Sequence, residues 1–161
     1  MMKTLLVYYS NESGLDALCR DSAREGSVDV LALEPRYEKS ALWHMTAGAY
    51  KAARGDGIRL EPFCVEAADY DIVIIATDVI FGFPCCAVNE FLQRCNLNAR
   101  EVIGIIVHPG KGSGRPGDIL RKRIALAGGD CKAVFHIPRK ELQTAGCSLL
   151  TLIRKKAAQT A

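Results

Sequence analysis

The strongest structural signal in the chain lies at residues 71–92, which read DIVIIATDVIFGFPCCAVNEFL. Asp71–Ala76 is an almost unbroken run of β-branched and aliphatic residues, which is typical of a strand covered on both faces. Gly82 and Pro84 then mark a loop. In the following segment, Ala87–Cys95, apolar residues recur at the spacing of one helical face: Val88, Phe91, Leu92 and Cys95. The stretch therefore predicts a buried strand, a short loop and an amphipathic helix.

The same alternation continues in both directions along the chain. The other predicted strands are Lys3–Tyr9, Val28–Leu33, Glu101–His108 and Cys131–Ile137. The other predicted helices are Leu15–Arg24 with Gly26 as its C-cap, Lys39–Arg54, Asp118–Leu126 and Leu149–Ala158. Strands that alternate with helices form right-handed βαβ units. We therefore expect residues 1–161 to form a single α/β domain, a three-layer sandwich around a doubly wound, five-stranded parallel sheet.

One stretch, Pro35–Pro62, is too long for a simple connection between a strand and a helix. Leu42, Met45 and Ala49 lie on one possible helical face within it. We therefore expect a helical excursion at about residues 36–57.

Composition excludes several classes of protein. The 161 residues are 49% hydrophobic and 24% charged, and the net charge of +3 is too small to indicate a nucleic-acid partner. The apolar runs are far shorter than the roughly 20 residues that span a bilayer, and the first residues resemble a strand rather than a signal peptide. We therefore expect no membrane association.

The cysteines and histidines carry little functional signal. The seven cysteines include no C-x-x-C pair, and four of them lie in apolar patterns as small hydrophobic residues: Cys19, Cys64, Cys95 and Cys131. This usage indicates a reducing compartment, so we expect a cytoplasmic protein. A reactive pair at the adjacent Cys85 and Cys86 is a further interpretation, although neighbouring cysteines are poorly placed for an unstrained disulfide. His44, His108 and His136 share no ligand spacing, and we expect no metal site.

Ligands of doubly wound sheets bind beyond the carboxyl ends of the strands, where the strand order reverses. The loop after the first strand, Ser10–Asp16, reads SNESGLD. Small hydroxyl and amide residues that lead into a helix can bind an anion through backbone N–H groups. The other interpretation is that residues 10–13 only cap the helix, with Asp16 favourable in its first turn.

This loop resembles the phosphate loop of flavodoxins, in which a strand is followed by Ser/Thr, any residue, Thr, Gly, any residue and Thr. Ser10, Ser13 and Gly14 match this pattern if one residue is inserted. Glu12 and Asp16 depart from it, because a carboxylate opposes a phosphate. The resemblance implies the sheet order 2-1-3-4-5 and a non-covalently bound FMN. It implies that the phosphate lies against Ser10, Asn11, Glu12, Ser13, Gly14 and Leu15.

The stretch 71–92 is also similar to flavodoxins, with matches at Gly82, Pro84, Val88, Phe91 and Leu92. The resemblance implies that the isoalloxazine ring is bordered by Val79, Ile80, Phe81, Gly82 and Phe83, with the two phenylalanines as the stacking candidates. Two positions depart from the family, since Asp78 replaces a usual proline and Ile80 replaces a usual Trp or Tyr. The alternative for Phe81 is a place in the core.

The third loop, Pro109–Gly117, reads PGKGSGRPG and contains a formal G-x-G-x-x-G. A dinucleotide site is not expected, because the motif begins four residues past the strand and Pro116 interrupts it. The resemblance implies instead that the flavin edge is bordered by Pro109, Gly110, Lys111 and Gly112. Lys111 and Arg115 either stabilise negative charge on a reduced flavin or an anionic partner, or are solvated charges. His108 ends the strand near the same edge.

The sequence thus leaves two functions open. The first is an FMN-binding flavoprotein in electron transfer or oxidoreduction, which serves a small-molecule electron acceptor or a redox partner protein, with a homodimer left open. The second is a binding module that has lost the flavin. A net charge of +3 disfavours the acidic electron-carrier role. Tyr8 and Tyr9 exclude a receiver domain, which needs an acidic pair there, and the first loop lacks the cysteine of a low-molecular-weight tyrosine phosphatase.

Overall fold

The centre of the fold is a sheet of five parallel strands with a short antiparallel addition. A computed structural model describes residues 1–10, 14–26, 28–36, 40–110 and 114–160. The strands are Thr4–Tyr9 (β1), Val28–Ala32 (β2), Ile72–Ile80 (β3), Phe83–Pro84 (β4), Glu101–His108 (β5) and Asp130–Pro138 (β6). The parallel strands follow the order β2-β1-β3-β5-β6, and β4 pairs antiparallel with the end of β3. The expected order 2-1-3-4-5 is confirmed, with β4 as the addition.

Helices follow the strands on both faces of the sheet. They are Leu15–Ser22 (α1), Ala41–Trp43 (α2), Ala49–Arg54 (α3), Cys86–Arg94 (α4), Arg115–Leu126 (α5), Arg139–Thr144 (α6) and Leu149–Thr160 (α7). Short 3₁₀ turns lie at Ala23–Glu25 and Ala67–Asp69. Gly26 follows the first of these with φ 74, as expected of a C-cap glycine. Helix α6 was not predicted from the sequence, because six residues are too few for a periodic pattern.

Alternate residues of β1 enter two separate cores. Leu5 and Val7 pack with Phe91 of α4 and Leu120 of α5. On the other face of the sheet, the core includes Leu6, Tyr8, Leu15, Cys19, Leu142 and Leu149. Because side chains alternate along a strand, this pattern requires helices on both faces. The three-layer sandwich is therefore confirmed.

The excursion is helical from Ala41 to Arg54, but its expected apolar face is wrong. Leu42 and Met45 are 71% and 64% exposed, whereas Gly48 is buried. The buried face is the one that carries Gly48 and Ala52, four residues apart, and a π-helical turn at His44–Gly48 lies within the segment. The ring of Trp43 packs over Gly48, where an added Cβ would lie 2.7 Å from it.

The cysteines are free thiols throughout the chain. Cys19 is buried as expected, but Cys64 is exposed, so the interpretation of Cys64 as a small hydrophobic residue in an apolar pattern is wrong. Among the helices of the described ranges, none has the length and apolarity needed to cross a membrane.

Candidate cofactor site at the carboxyl edge of the sheet

The three loops predicted to bind a ligand follow β1, β3 and β5, which are neighbouring strands and end at the same edge of the sheet. Tyr9 pairs in register with Thr77, and Asp78 pairs with Val107, so β1, β3 and β5 end side by side. Adjacent strands lie about 4.8 Å apart, which places the three strand ends within roughly 10 Å. The predicted site residues gathered here are Ser10, Gly14, Leu15, Val79, Ile80, Phe81, Gly82, Phe83, Pro109 and Gly110. The others, Asn11, Glu12, Ser13, Lys111 and Gly112, lie outside the described residues.

Gly14 begins α1 in a conformation that favours glycine. It occupies the N-cap position with φ 81, and it has no side chain with which to cap the first turn. An added Cβ would meet only Gln143 of α6, at 4.0 Å. The side chain of the next residue, Leu15, is fully buried in the core. Leu15 can therefore face this edge only through its backbone, and the edge contains the amino-terminal end of α1, where the helix dipole favours an anion.

Asp16, the carboxylate that departs from the phosphate-loop pattern, is turned toward two partners. The Tyr8 hydroxyl donates a hydrogen bond to Asp16 Oδ1. Asp16 Oδ2 lies 3.0 Å from Nε of Arg20, one turn along α1. Burial and the contact with Asp16 raise the pKa of Tyr8 above its ordinary value of 10.0, so the phenol keeps its proton. Asp16 is thus held by a hydrogen bond and an ion pair.

A hairpin projects beyond the edge between the first and third loops. Thr77 is the last residue of β3 that pairs with β1, and β3 continues to Ile80 before turning into β4. The turn residues Phe81 and Gly82 have φ 47 and 84, the left-handed values that tight two-residue hairpins use. Phe81 is 66% exposed, which rules out its alternative place in the core. A large apolar ring is thus held in solvent at the tip.

Phe83, the other stacking candidate, already has a partner. The guanidinium carbon of Arg115, the first residue of α5, lies 4.8 Å from the centre of the Phe83 ring. At this distance a cation and an aromatic face attract each other. Arg115 therefore holds the hairpin, and Phe81 is the better stacking candidate.

The residues beneath the hairpin are buried and are joined by hydrogen bonds. Thr77 Oγ1 donates to the Asp78 carbonyl at 2.8 Å and accepts from the Cys85 N–H at 3.3 Å, while Cys85 Sγ donates to the same carbonyl at 3.1 Å. Burial and the nearby Asp78 carboxyl raise the pKa of the Cys85 thiol, and burial likewise raises the pKa of Tyr9. Protonated, enclosed thiols are poor nucleophiles, so this geometry favours a structural role for Cys85 over a reactive pair.

Two histidines meet at the side of this edge. The rings of His108 and His136 lie 6.4 Å apart, and Nδ1 of His108 is buried without a hydrogen-bond partner among the described residues. Burial lowers the pKa of His136, positive charge on His108 lowers it further, and Asp118 opposes the shift. His108 was predicted to lie near this edge but His136 was not, because the neighbour of a strand-end residue depends on the register of β5 and β6.

No protein-family model and no curated protein matches the chain in sequence. Solved structures do share its fold. One is a flavoprotein of Lactobacillus acidophilus NCFM in complex with FMN, with 15% identity, a TM-score of 0.73, and coverage of 84% of this chain and 93% of that one. Another is a candidate flavoprotein of Bacteroides uniformis, with 15% identity, a TM-score of 0.76, and coverage of 97% and 98%. A flavodoxin from the domain Archaea has 11% identity, a TM-score of 0.51, and coverage of 88% and 90%.

The chain has the flavodoxin-like fold. In this flavodoxin-like sheet the order reverses between β1 and β3, because β2 lies outside β1 and β5 lies outside β3. The crevice beyond such a reversal is where open α/β sheets bind their ligands. Gly14, which follows β1, lies on one side of this crevice, and the hairpin at Phe81, which follows β3, lies on the other.

Proposed function

We propose that the chain binds FMN non-covalently at the carboxyl edge and acts as a flavoprotein in electron transfer or oxidoreduction. The observation that carries this proposal is the hairpin at Phe81, which holds an aromatic ring 66% exposed beside the crevice. Within the described residues Phe81 is one of the few large apolar side chains left exposed, and a flat aromatic surface beside a crevice suits a planar ligand ring. The similar L. acidophilus flavoprotein, solved in complex with FMN, supports the same ligand.

The residues of the edge fit the two ends of an FMN molecule. The backbone N–H groups at the start of α1 would bind the phosphate, with Gly14 allowing close approach. Phe81 would stack on the isoalloxazine ring, and Pro109 and Gly110 would border its edge. When bound, the flavin supplies the redox chemistry by accepting and passing on electrons.

For the partner, we infer a small-molecule electron acceptor, with a redox protein as the other class. The net charge of +3 lacks the acidic character through which electron carriers attract their partners. The seven free thiols support a reducing compartment, as in the cytoplasm. Assembly as a homodimer stays a prediction for measurements of mass in solution.

Titration of the flavin-free protein with FMN, riboflavin and FAD tests the proposal. We expect FMN to bind most tightly, because riboflavin lacks the phosphate and the sequence offers no dinucleotide motif for FAD. Binding is measured by quenching of flavin fluorescence, and the absorption spectrum of the purified protein shows whether flavin is retained. A colourless protein that quenches none of the three flavins would overturn the proposal and favour the binding module without flavin.

A further inference from the structure

A second concave site lies at the opposite, amino edge of the sheet. It is a cavity of about 700 Å³ between the C-terminal ends of α3, α4 and α5. Its wall includes Asn96, five residues before β5 begins, and Gly128, two residues before β6 begins. The 8 residues of β5 separate the two edges by roughly 23 Å. The cavity is therefore distinct from the proposed flavin site, and a ligand can bind there whether or not the carboxyl edge holds FMN.

The helical excursion forms one wall of the cavity and is fixed to the other two. Gln93 Nε2 donates to the Gly55 carbonyl at 2.8 Å, and Asn89 Nδ2 donates to the Asp56 carbonyl at 3.0 Å. Arg123 Nη2 donates to the Ala52 carbonyl at 2.9 Å. These bonds join α4 and α5 to the end of α3, so the cavity is preformed.

The polar lining of the cavity is cationic. It contains three arginines, Arg54, Arg94 and Arg123, and no Asp or Glu among the described residues. Arg54 is 3.5 Å from Asp56, and Arg94 is 4.0 Å from Glu90. Both ion pairs are long and substantially exposed, so each carboxylate offsets the positive charge of its arginine only weakly.

Arg123 differs from the other two arginines because no carboxylate of the described residues pairs with it. Its side chain is half-buried, and Nη1 donates to the neutral Asn89 Oδ1 at 2.7 Å. Burial lowers its pKa, with no opposing carboxylate. The two acceptors of Arg123, Asn89 Oδ1 and the Ala52 carbonyl, carry only partial negative charge, whereas a charge drawn out of water is best matched by a full opposite charge. An anion in the cavity would provide that match.

The cavity also has an apolar side. Leu126 of α5 lines it while remaining 89% exposed, and the side chain of Leu92 lies in the wall. An apolar surface beside guanidinium groups suits a ligand with an apolar body and an acidic group. We propose that the amino-edge cavity binds a small organic anion, with its carboxylate or phosphate on Arg123 and its body against Leu92 and Leu126.

Naphthoate and the neutral naphthalenemethanol form a matched pair of probes, since they share a body and differ in charge. We expect naphthoate to produce saturable shifts in proton–nitrogen correlation spectra at the Arg123 side chain, Leu126 and Gly128. Naphthalenemethanol should bind at least roughly tenfold more weakly, because it lacks the charged hydrogen bond to Arg123. Comparison of naphthyl phosphate with naphthoate shows whether the site prefers a phosphate or a carboxylate. The proposal is supported if either anion binds more tightly than the neutral alcohol.

Variants localise the site. Arg123→Gln should weaken naphthoate binding roughly tenfold or more, whereas Lys122→Gln, the same charge change on an exposed neighbour outside the lining, should not. Because Arg123 also fixes α3, a second pair avoids damage to the fold. Leu126→Asp should nearly abolish binding by repulsion, while the neutral Leu126→Asn retains most of it. Equal binding by these two variants, equal binding of the neutral probe, or shifts confined to Gly14 and Phe81 would each overturn the proposal.

Discussion

The hydroxyl of Tyr8 donates a hydrogen bond to the carboxylate of Asp16, and this contact turns the carboxylate toward the side of α1. Arg20 pairs with the same carboxylate at 3.0 Å. An acidic residue can therefore stand in the first turn of α1 without its charge facing an anion at the helix start. The apparent conflict between Asp16 and a phosphate is removed by β1, the strand that supplies Tyr8.

Asp16→Asn should change FMN affinity by no more than roughly twofold, because the Tyr8 hydroxyl and Arg20 hold the carboxylate at the side of α1, away from an anion at the helix start. The free energy of unfolding should fall by about 1 kcal/mol as the charged hydrogen bond from Tyr8 is weakened. Calorimetric titration and chemical denaturation measure the two effects. Asp21→Asn, which removes the exposed pair with Arg24, is the control on the same helix. FMN binding that tightens severalfold in Asp16→Asn would show that this carboxylate faces the phosphate.

Gly14→Val should abolish most FMN binding, because a branched side chain blocks the approach of the phosphate and φ 81 strains any residue with a Cβ. The matched control is Gly55→Val after α3, where φ 78 and ψ 13 give the same left-handed conformation and an added Cβ would meet only the Arg123 side chain, at 3.6 Å. Each variant should lose about 1–2 kcal/mol of stability. Fluorescence titration measures the FMN affinity of each variant. If the two substitutions change that affinity equally, the phosphate binds elsewhere.

Phe81→Ala should weaken FMN binding roughly two- to tenfold through the loss of stacking. Since Phe81 is exposed, the free energy of unfolding without flavin should stay within about 0.5 kcal/mol of the parent. Phe81→Tyr keeps the ring and should retain both affinity and the quenching of flavin fluorescence. A parent and an alanine variant with the same affinity would mean that the ring does not touch the flavin.

His136 should titrate below its ordinary pKa of 6.5, because burial and His108 disfavour its charged form. The unfolded chain then binds more protons than the folded one, so stability rises with pH and is lost as the pH falls below 6.5. His136→Gln should flatten this acid side of the stability curve, measured by denaturation at a series of pH values. His108→Gln removes one of the two depressing causes and should raise the pKa of His136, followed by its ring proton resonances. A parent His136 that titrates at or above 6.5 would contradict the assignment.

Thiol labelling of the native protein should modify Cys64 first. Cys64 is exposed, whereas Cys19, Cys85 and Cys86 are buried, and burial raises the pKa of Cys19 and Cys85. Only thiolates react readily, so the buried thiols should label at the rate of unfolding. Mass spectrometry after timed alkylation reads the order, and Cys64→Ser should remove the fast step. Rapid labelling of Cys85 would instead support the interpretation that Cys85 and Cys86 form a reactive pair.

The sequence predicted the sheet well, because buried parallel strands are continuous apolar runs. Glu101–His108 was predicted with the observed bounds. The end of β3 was not, since Thr77 and Asp78 resemble a loop, yet they continue the strand with the backbone of Asp78 accepting from Thr77 and Cys85. Only tertiary context reveals that a buried polar pair can extend a strand.

The candidate site was predictable by position and less so by side chain. The location of Gly14 and Phe81 follows from the rule that ligands bind at strand ends. The partner of Asp16 and the exposure of Phe81 could not be deduced, because they depend on a neighbouring strand and on a left-handed turn. The amino-edge cavity was missed for a similar reason, since its arginines come from three separate helices and none forms a local motif.

The hydrogen bonds that join α3 to α4 and α5 limit how this chain can be redesigned or can diverge. Arg123 and Asn89 both lie on the framework helices, but their acceptors, the carbonyls of Ala52 and Asp56, belong to the excursion. Shortening the excursion would leave Nη2 of the half-buried Arg123 and Nδ2 of Asn89 without these acceptors. Deletions in the excursion should therefore be tolerated only together with apolar replacements at both positions, so the excursion and the two framework helices have to be changed as one unit.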